Sequence, residues 1–269
     1  MRSQVKLRNS VKSLFEQVKE RIDRAQSQGE QIDYLSFVPD GEPTLDTRLS
    51  ETIDLLRPLG INIAIISNGS LIWRETVRET LKKADWVSLK VDTVDEKIWH
   101  HINQSHGKLK LNDILEGMLI FAQEYQGILA SDTMLVKDIN VSQTCAEGVA
   151  DFLEKLHPQQ AYLLVPTRPP AQKDIQAPPE EEVRRFYHIV SHKVPCLQCI
   201  AHYEGNTFTT TGDVATDVLS ITAVHPMREE AIRELLAKTQ SDWQVIQKLL
   251  DDNQLVETLY QGHRFYLRR

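Results

Sequence analysis

A glutamate on a tight turn is the residue of this sequence with the clearest chemical potential. Glu42 is flanked by Gly41 and Pro43, and the turn follows the apolar run YLSFV at residues 34–38. A short apolar run without helical spacing predicts a buried strand, and the glycine and prolines after it predict a turn. Parallel α/β sheets bind ligands at the carboxyl ends of their strands. The Glu42 carboxylate is therefore a candidate ligand-binding group, and a purely structural turn is the alternative.

Polar and basic residues also follow the later predicted strands: Asn68 and Gly69, Lys90 and Asp92, Lys137, and Arg168. Lys90 and Asp92 lie two residues apart, so they share one face of a strand and either pair with each other or bind a ligand. Asn68 with Gly69 is equally typical of a plain turn, and lone basic residues on loops are more often solvated than ligand-binding. Four of these side chains are expected to gather at one edge of the sheet: Glu42, Asn68, Lys90 and Lys137.

The elements that must position these residues alternate between strands and helices. Apolar residues at helical spacing predict helices at about 9–28, 45–56, 73–81, 111–121 and 149–156. Short apolar runs predict strands at 34–38, 61–66, 86–91, 133–136 and 162–165, with a sixth at 194–201. Thr44 or Asp46 is expected to cap the helix after the glutamate turn. This alternation predicts an α/β fold with one parallel sheet, a partial (β/α) barrel of TIM-like type.

The sequence changes character after residue 165. Prolines at both ends of residues 166–179 predict a polar, extended loop. Helical patterns then recur at 218–224, at 229–236 and from Ser241, and two strands follow at 255–260 and 263–267 around Gln261 and Gly262. Three helices closed by a hairpin predict a small winged-helix domain. The expected division is therefore a barrel at 1–212 and a winged-helix-like domain at 213–269.

Composition limits the classes of function. The chain is 41% hydrophobic and 26% charged, which is ordinary for a globular protein. Its net charge of −7 argues against broad binding to nucleic-acid phosphates. We expect no membrane association, because no apolar run reaches the roughly 18 residues of a membrane span. With a polar N-terminus and only three cysteines, the sequence predicts a cytoplasmic protein.

The glutamate turn, GEPTL after an apolar strand, resembles the Gly-Gly-Glu-Pro turn of radical S-adenosylmethionine (SAM) enzymes. Four further stretches extend the resemblance: SNGS (67–70), LKVD (89–92), MLVK (134–137) and RPP (168–170). In their order the set is similar to the Fe–S oxidoreductase branch related to the tRNA wybutosine-synthesis radical SAM protein. The sequence departs from the pattern at Asp40, where the superfamily usually has the first glycine.

The resemblance implies SAM as a cofactor. It assigns the turn of Gly41, Glu42 and Pro43 to the SAM ammonium group, and it places the other candidates in the same site: Asn68, Gly69, Lys90, Asp92, Lys137 and Arg168. Lys137 and Arg168 would face the SAM carboxylate or an anionic substrate. The family also holds a 4Fe–4S cluster on three closely spaced cysteines after its first strand, and the open iron of that cluster binds SAM.

The cysteines of this chain do not follow that spacing. Cys196 and Cys199 form the lone Cys-x-x-Cys, and Cys145 stands alone. On a strand, residues three apart point to opposite faces, so the pair is expected to be buried structural thiols without a metal. The sequence thus resembles a radical SAM protein without its first strand and cluster loop, either truncated or a natural cluster-free relative. The histidines at 100, 101 and 106 lack the spacing of a zinc site.

Two functions from different classes follow. The first is a radical SAM oxidoreductase, here without the cluster cysteines, which in full-length form would use SAM to abstract hydrogen from a substrate that the sequence does not identify. No catalytic residue is assigned. The alternative is a cluster-free binding protein whose barrel and winged helix dock RNA or a protein. Acids outnumber bases after residue 213, which argues against DNA binding, but Arg264, Arg268 and Arg269 leave RNA contact open.

Overall fold

The computed structural model describes residues 2–27, 29–38, 41–170, 172, 175–201, 208, 210, 212–224 and 226–269, with side chains from Leu14 onward except that of Val224. Asp40, the departure from the superfamily turn, lies outside the described residues. The chain divides into two compact units. The larger contains Tyr34–Asp54 and Asn62–Tyr203, and the smaller contains Met1–Asp33, Leu55–Ile61 and Glu204–Arg269.

The helices and strands alternate for most of the chain. In order they are α1 (Arg2–Ser27), β1 (Tyr34–Phe37), α2 (Leu49–Leu56), β2 (Asn62–Ser67), α3 (Glu75–Leu81), β3 (Trp86–Lys90), α4 (Glu96–Asn103), α5 (Leu111–Glu124), β4 (Ile128–Met134), α6 (Gln143–Leu156), β5 (Gln160–Leu164), α7 (Glu180–Ser191), β6 (Leu197–Ile200), α8 (Val214–Val224), β7 (Met227–Arg228), α9 (Glu229–Lys238), α10 (Gln244–Asp251), β8 (Leu255–Tyr260) and β9 (His263–Arg268). Short 3₁₀ turns lie at Pro43–Leu45 and Arg57–Leu59.

The larger unit is built on one open, six-stranded parallel sheet in the order β1-β2-β3-β4-β5-β6. Each strand pairs with the next in sequence, as repeated βα units with one handedness require. The predicted α/β class and partial-barrel topology, including the sixth strand, are confirmed. All strands run the same way, so every residue that follows a strand lies at the same carboxyl edge of the sheet.

One face of the sheet forms the main core. Alternate side chains of the central strands, such as Ile65, Val87, Leu89 and Leu163, are fully buried together with Phe121 of α5. The residues between them point to the opposite face because a strand has a two-residue side-chain period. On β3 that opposite face carries Trp86, Ser88 and Lys90 and is half polar. One face of the sheet therefore packs in the apolar core, and the other carries polar and charged side chains such as Ser88 and Lys90.

Three local predictions differ from the structure. β1 is only partly buried, because it is an edge strand that pairs with β2 alone. β4 begins at Ile128 rather than near 133, and the polar residues Ser131 and Asp132 interrupt its apolar pattern. Helix α7 was not predicted, although Val183, Phe186 and Val190 give it a buried apolar stripe.

The C-terminal part of the smaller unit contains α8, α9 and α10 beside a three-stranded antiparallel sheet in the order β7-β9-β8. Its core includes Val218, Ile232, Ile246 and Tyr266. The two hairpin residues Gln261 and Gly262 both have positive φ, 49° and 81°, as a two-residue hairpin loop favours. The three helices and the hairpin match the predicted order, and β7 is an additional strand. Within the part of the chain that is described, no helix is long and apolar enough to cross a membrane.

Candidate functional site

Glu42 joins two neighbouring turns at the carboxyl edge of the sheet. Its Oε1 accepts hydrogen bonds from the Thr44 backbone N–H (3.1 Å), the Thr44 hydroxyl (2.7 Å) and the Ser67 hydroxyl (2.6 Å). Its Oε2 accepts one, from the Asn68 backbone N–H at 2.8 Å. The residue is buried, at 8% exposure, and no cation lies among these partners. Oε2 therefore keeps acceptor capacity for a ligand, since a carboxylate oxygen can take more than one donor.

The local sequence explains why the Glu42 turn is rigid. Glu42 caps the 3₁₀ turn Pro43–Leu45, and Pro43 at the first helical position fixes the backbone without losing a needed donor. Thr44, one of the two predicted caps, instead donates to the glutamate. Asp46, the other, accepts from the Arg48 N–H at 2.9 Å just before α2. The glutamate thus organises its own turn, which sequence spacing alone did not indicate.

Asn68 and Gly69 form the second of the two turns. Gly69 has φ of +71°, a left-handed backbone conformation that favours glycine. The Asn68 side-chain oxygen Oδ1 accepts a hydrogen bond from the Ser70 backbone N–H at 2.9 Å, which orients the side-chain amide. Asn68 therefore presents its remaining N–H donors beside the Glu42 carboxylate. This pair is brought together as predicted.

Lys90 and Asp92 form a second charged group at the same edge. The Lys90 ammonium pairs with Asp92 Oδ2, which also accepts from the Asn103 amide at 3.2 Å. Asp92 Oδ1 accepts from the Met134 backbone N–H at 3.0 Å, and the Asp92 side chain has no exposed surface. The ion pair is one of the two alternatives that the sequence left open. Asp92 consequently ties the ends of β3 and β4 to α4.

Asp132 is a site residue that the sequence did not suggest. It lies opposite Lys90 in the β3–β4 register, and its Oδ1 accepts from the Ser88 hydroxyl at 2.7 Å. Burial raises the pKa of the Asp132 carboxyl, while the Ser88 hydrogen bond and the Lys90 charge lower it less. The apolar residues Ile128, Leu129 and Ala130 just before it are the signal that could have placed Asp132 within a strand.

The remaining basic candidates lie farther along the chain. Lys137 is three residues past the end of β4, and its backbone N–H donates to the Gln176 carbonyl at 3.0 Å. Arg168 is four residues past the end of β5 and is half-buried. Both follow strands of the same parallel sheet, so the topology puts them at the carboxyl edge with Glu42 and Lys90.

A cavity of about 630 Å³ opens beside the Glu42 and Asn68 turns. Its wall is completed by one residue of the Glu42 turn, by the segment after β2, and by α4 and the α4–α5 connection: Leu45, Ser70, Leu71, Trp73, Arg74, Trp99, Asn103, Gln104, Ser105, His106, Lys108 and Leu109. A cavity of this volume is large enough for a cofactor-sized ligand. None of Lys90, Asp92, Lys137 or Arg168 lines it.

The thiols do not fit a 4Fe–4S cluster. Cys145 is buried on α6, where burial raises the pKa of its thiol, and its sulfur contacts the Thr93 hydroxyl at 3.4 Å. Cys196 donates to the Pro158 carbonyl at 3.3 Å and is half-buried. Cys199 is exposed on the edge strand β6, which corrects the expectation of buried thiols at 196 and 199. Among the described residues, no group of three or more His, Cys, Asp or Glu could hold a metal.

Comparison with known proteins identifies the family. The model of the radical SAM superfamily matches residues 4–143. A UPF0026 protein of Methanocaldococcus jannaschii is 42% identical over 261 residues, which cover 96% of this chain and 81% of that protein. The chain therefore belongs to the radical SAM superfamily. A UPF0026 protein of Helicobacter pylori is 37% identical over 144 residues, 53% of this chain and 46% of that protein, so the chain spans about half the length of that relative.

A solved structure supports the fold. A radical SAM methyltransferase of Sphaerobacter thermophilus superposes with a TM-score of 0.55 at 15% identity, covering 71% of this chain and 57% of the other. A structure of archaeal TYW1 matches with a TM-score of 0.45 at 16% identity, covering 68% of this chain and 59% of the other. The superfamily prediction is confirmed, whereas a TM-score of 0.45 carries no argument about the branch.

Proposed function

We propose that this chain is the SAM-binding part of a radical SAM oxidoreductase, with SAM held at the Glu42 and Asn68 turns. The observation that carries the proposal is the buried Glu42 carboxylate, which has one oxygen engaged by a single donor and which lines a cavity. A fixed carboxylate without a protein cation is suited to an ammonium group. SAM presents such a group, and superfamily membership supports SAM-dependent radical chemistry in general.

The residues present fit SAM better than they fit an iron–sulfur cluster. When bound, SAM supplies an adenosyl group for radical chemistry. Glu42 would orient the methionine end through its ammonium, and the Asn68 amide would donate to the same ligand. Lys137 and Arg168 at the same edge are the proposed partners of the SAM carboxylate or of an anionic substrate. No step is assigned to a cluster, because no group of three or more His, Cys, Asp or Glu among the described residues could hold one.

Lys90 and Asp92 take a more limited part in this proposal. Their mutual ion pair and the Asn103 and Met134 hydrogen bonds engage both oxygens of Asp92, whereas the Lys90 ammonium has further donors to offer. We therefore propose that they shape the edge of the site, and that a direct contact with SAM comes from Lys90 alone, whose side chain keeps 27% exposure.

Isothermal titration calorimetry with SAM tests the Glu42 assignment. We expect weak but measurable binding to the chain, and at least tenfold weaker binding to Glu42→Gln, because a charge-assisted hydrogen bond contributes roughly 1.5–3 kcal/mol. Glu51→Gln, an exposed glutamate of α2, is the matched control and should bind as the unmodified chain does. Circular dichroism melting confirms that each variant is folded.

Two results would contradict the proposal. The first is no heat of binding at millimolar SAM. The second is SAM binding that Glu42→Gln leaves unchanged, which would locate the SAM pocket elsewhere.

The C-terminal part is proposed to be a winged-helix domain, with a boundary near residue 213, that docks a partner. Val256 and Leu259 of the β8–β9 hairpin are exposed, at 38% and 71%. Arg264 pairs with Glu257 at 3.3 Å, and Arg269 donates to Asn253 at 2.9 Å. Because those two arginines are engaged within the unit, a protein partner is favoured over RNA.

This docking role is the basis of the alternative function, a cluster-free binding protein. Fluorescence anisotropy with a single-stranded RNA should detect no salt-sensitive binding. RNA binding that is lost in Arg264→Gln would contradict the preference for a protein partner.

A further inference from the structure

The cavity beside Glu42 has a second set of wall residues that the SAM proposal does not use. Apart from Glu42, Leu45 and Asn68, the wall residues belong to the turn that leads from β2 to α3, to helix α4 and to the connection between α4 and α5. Two tryptophans, Trp73 and Trp99, and two permanent cations, Arg74 and Lys108, are among them. Aromatic rings together with cations suit a ligand that has both a flat ring and a negative charge.

Trp73 has an exposed side chain on a backbone turn that is fixed from two sides. Its side chain has 43% exposure, which is unusual for a large aromatic residue. The Arg78 guanidinium donates to the carbonyls of Ile72 (3.0 Å) and Trp73 (2.9 Å), which fixes this turn from one side. Gly117 of α5 fixes it from the other, because a Cβ there would lie 2.8 Å from the Ile72 carbonyl oxygen and from the Trp73 backbone. The backbone that carries the exposed Trp73 ring is therefore held in place from two sides.

The charged groups around the cavity are mostly positive. The Arg74 guanidinium lies 4.9 Å from the centre of the Trp73 ring, so charge and ring are adjacent. His106 Nδ1 accepts from the Lys108 backbone N–H at 3.3 Å, so the neutral imidazole carries its hydrogen on Nε2 and can donate. Among the described residues of the wall, Glu42 is the one acid, and four donors engage it.

We propose that this cavity binds a nucleotide, with the base stacked on Trp73 and the phosphate held by Arg74, Lys108 and the His106 Nε2–H. The volume of about 630 Å³ accommodates one nucleotide. SAM itself carries a positive sulfonium, so it matches the cationic side of the cavity poorly. Binding of the nucleotide is independent of the proposed function, whereas calling it the substrate of a SAM-dependent reaction rests on that function.

Calorimetry and tryptophan fluorescence with AMP, GMP, CMP and UMP, in the absence of SAM, test the proposal on the full chain. At least one nucleotide should bind, and its nucleoside and inorganic phosphate should each bind at least tenfold more weakly. Trp73→Ala should weaken nucleotide binding about tenfold or more through lost stacking, and Trp73→Phe should retain most of it. Arg74→Gln and Lys108→Gln should each weaken it about fivefold or more. Arg184→Gln, an exposed arginine of α7, is the control that should change nothing.

Four outcomes would overturn the inference: no binding of any of the four nucleotides at millimolar concentration, equal binding of inorganic phosphate, nucleotide affinities that Trp73→Ala and Arg74→Gln leave unchanged, or binding of a single-stranded RNA without binding of mononucleotides. SAM titrated into Arg74→Gln separates the two proposals, since SAM affinity should not fall. Nucleotide binding without any SAM binding would remove the proposed function and leave this site standing.

Discussion

Two buried carboxylates at the same edge of the sheet, Glu42 and Asp92, have different surroundings. Asp92 is saturated, with an ammonium and an amide on one oxygen and a backbone N–H on the other. Glu42 has four uncharged donors, three of them on one oxygen, and it lines a cavity. A buried acid with its own cation is a structural tie, whereas a buried acid held only by dipoles can still take a cation from a ligand. The resemblance to radical SAM enzymes assigned both residues to one cofactor site.

Removing the saturated carboxylate should have the largest effect on stability. We expect Asp92→Ala to lower the free energy of unfolding by about 3–5 kcal/mol, because it leaves the Lys90 ammonium, the Asn103 amide and the Met134 N–H without their partner. Urea unfolding followed by circular dichroism measures the change. A loss below about 1 kcal/mol would mean that Asp92 is not the tie described here.

The cavity carboxylate should matter less for stability. Glu42→Gln keeps an oxygen for the three donors on one side but turns an NH₂ group toward the Asn68 backbone N–H. One unpaired buried donor costs about 1–3 kcal/mol, so the loss should be smaller than for Asp92→Ala under the same urea conditions. If Glu42→Gln were the more destabilising of the two, the comparison would be reversed, and Glu42 would be the structural tie.

A third buried carboxylate at this edge, Asp132, should make the stability of the protein depend on pH. Burial raises its pKa in the folded state, so the folded protein holds the proton to a higher pH than the unfolded chain does. Stability should then fall as pH rises from the unfolded value near 4 through the raised folded pKa. Asp132→Asn stays neutral and keeps an oxygen for Ser88, so its stability relative to the unmodified chain should increase with pH and then level off. Thermal melts between pH 4 and pH 8 measure this, and a constant difference would contradict it.

The smallest effect is expected at an exposed charge cluster. Lys193 contacts Asp151 at 2.7 Å and Glu154 at 3.0 Å, with 42% of its side chain exposed. These partners raise the pKa of the Lys193 ammonium, but solvent screens the interaction. Lys193→Met should change the urea midpoint less than any of the three variants above. A loss comparable to that of Asp92→Ala would show that burial is not what separates the two ion pairs.

Much of the fold could be predicted from local sequence. The apolar runs at β2, β3 and β5 and the helical stripes of α5 and α6 are strongly periodic, because each packs one face against a single core. The sequence pattern does not predict the partial burial of the edge strand β1, the start of β4 at Ile128, or helix α7. Their patterns depend on which neighbours cover them, and a sequence does not specify its neighbours.

The candidate site shows the same division. The sequence determined that acids and bases follow successive parallel strands, and parallel topology alone brings those positions to one edge. Only the tertiary structure decided that Lys90 pairs with Asp92 and that Ser67 and Asn68 donate hydrogen bonds to Glu42. It also placed Asp132 opposite Lys90 on the neighbouring strand. Hydrogen bonding and burial join residues 25 or more positions apart, as in the Ser67 and Asn68 bonds to Glu42, and such partners leave no periodic signal in the chain. The cavity that holds Trp73 beside Arg74 arises for the same reason, since Gly117 of a distant helix sets where that turn lies.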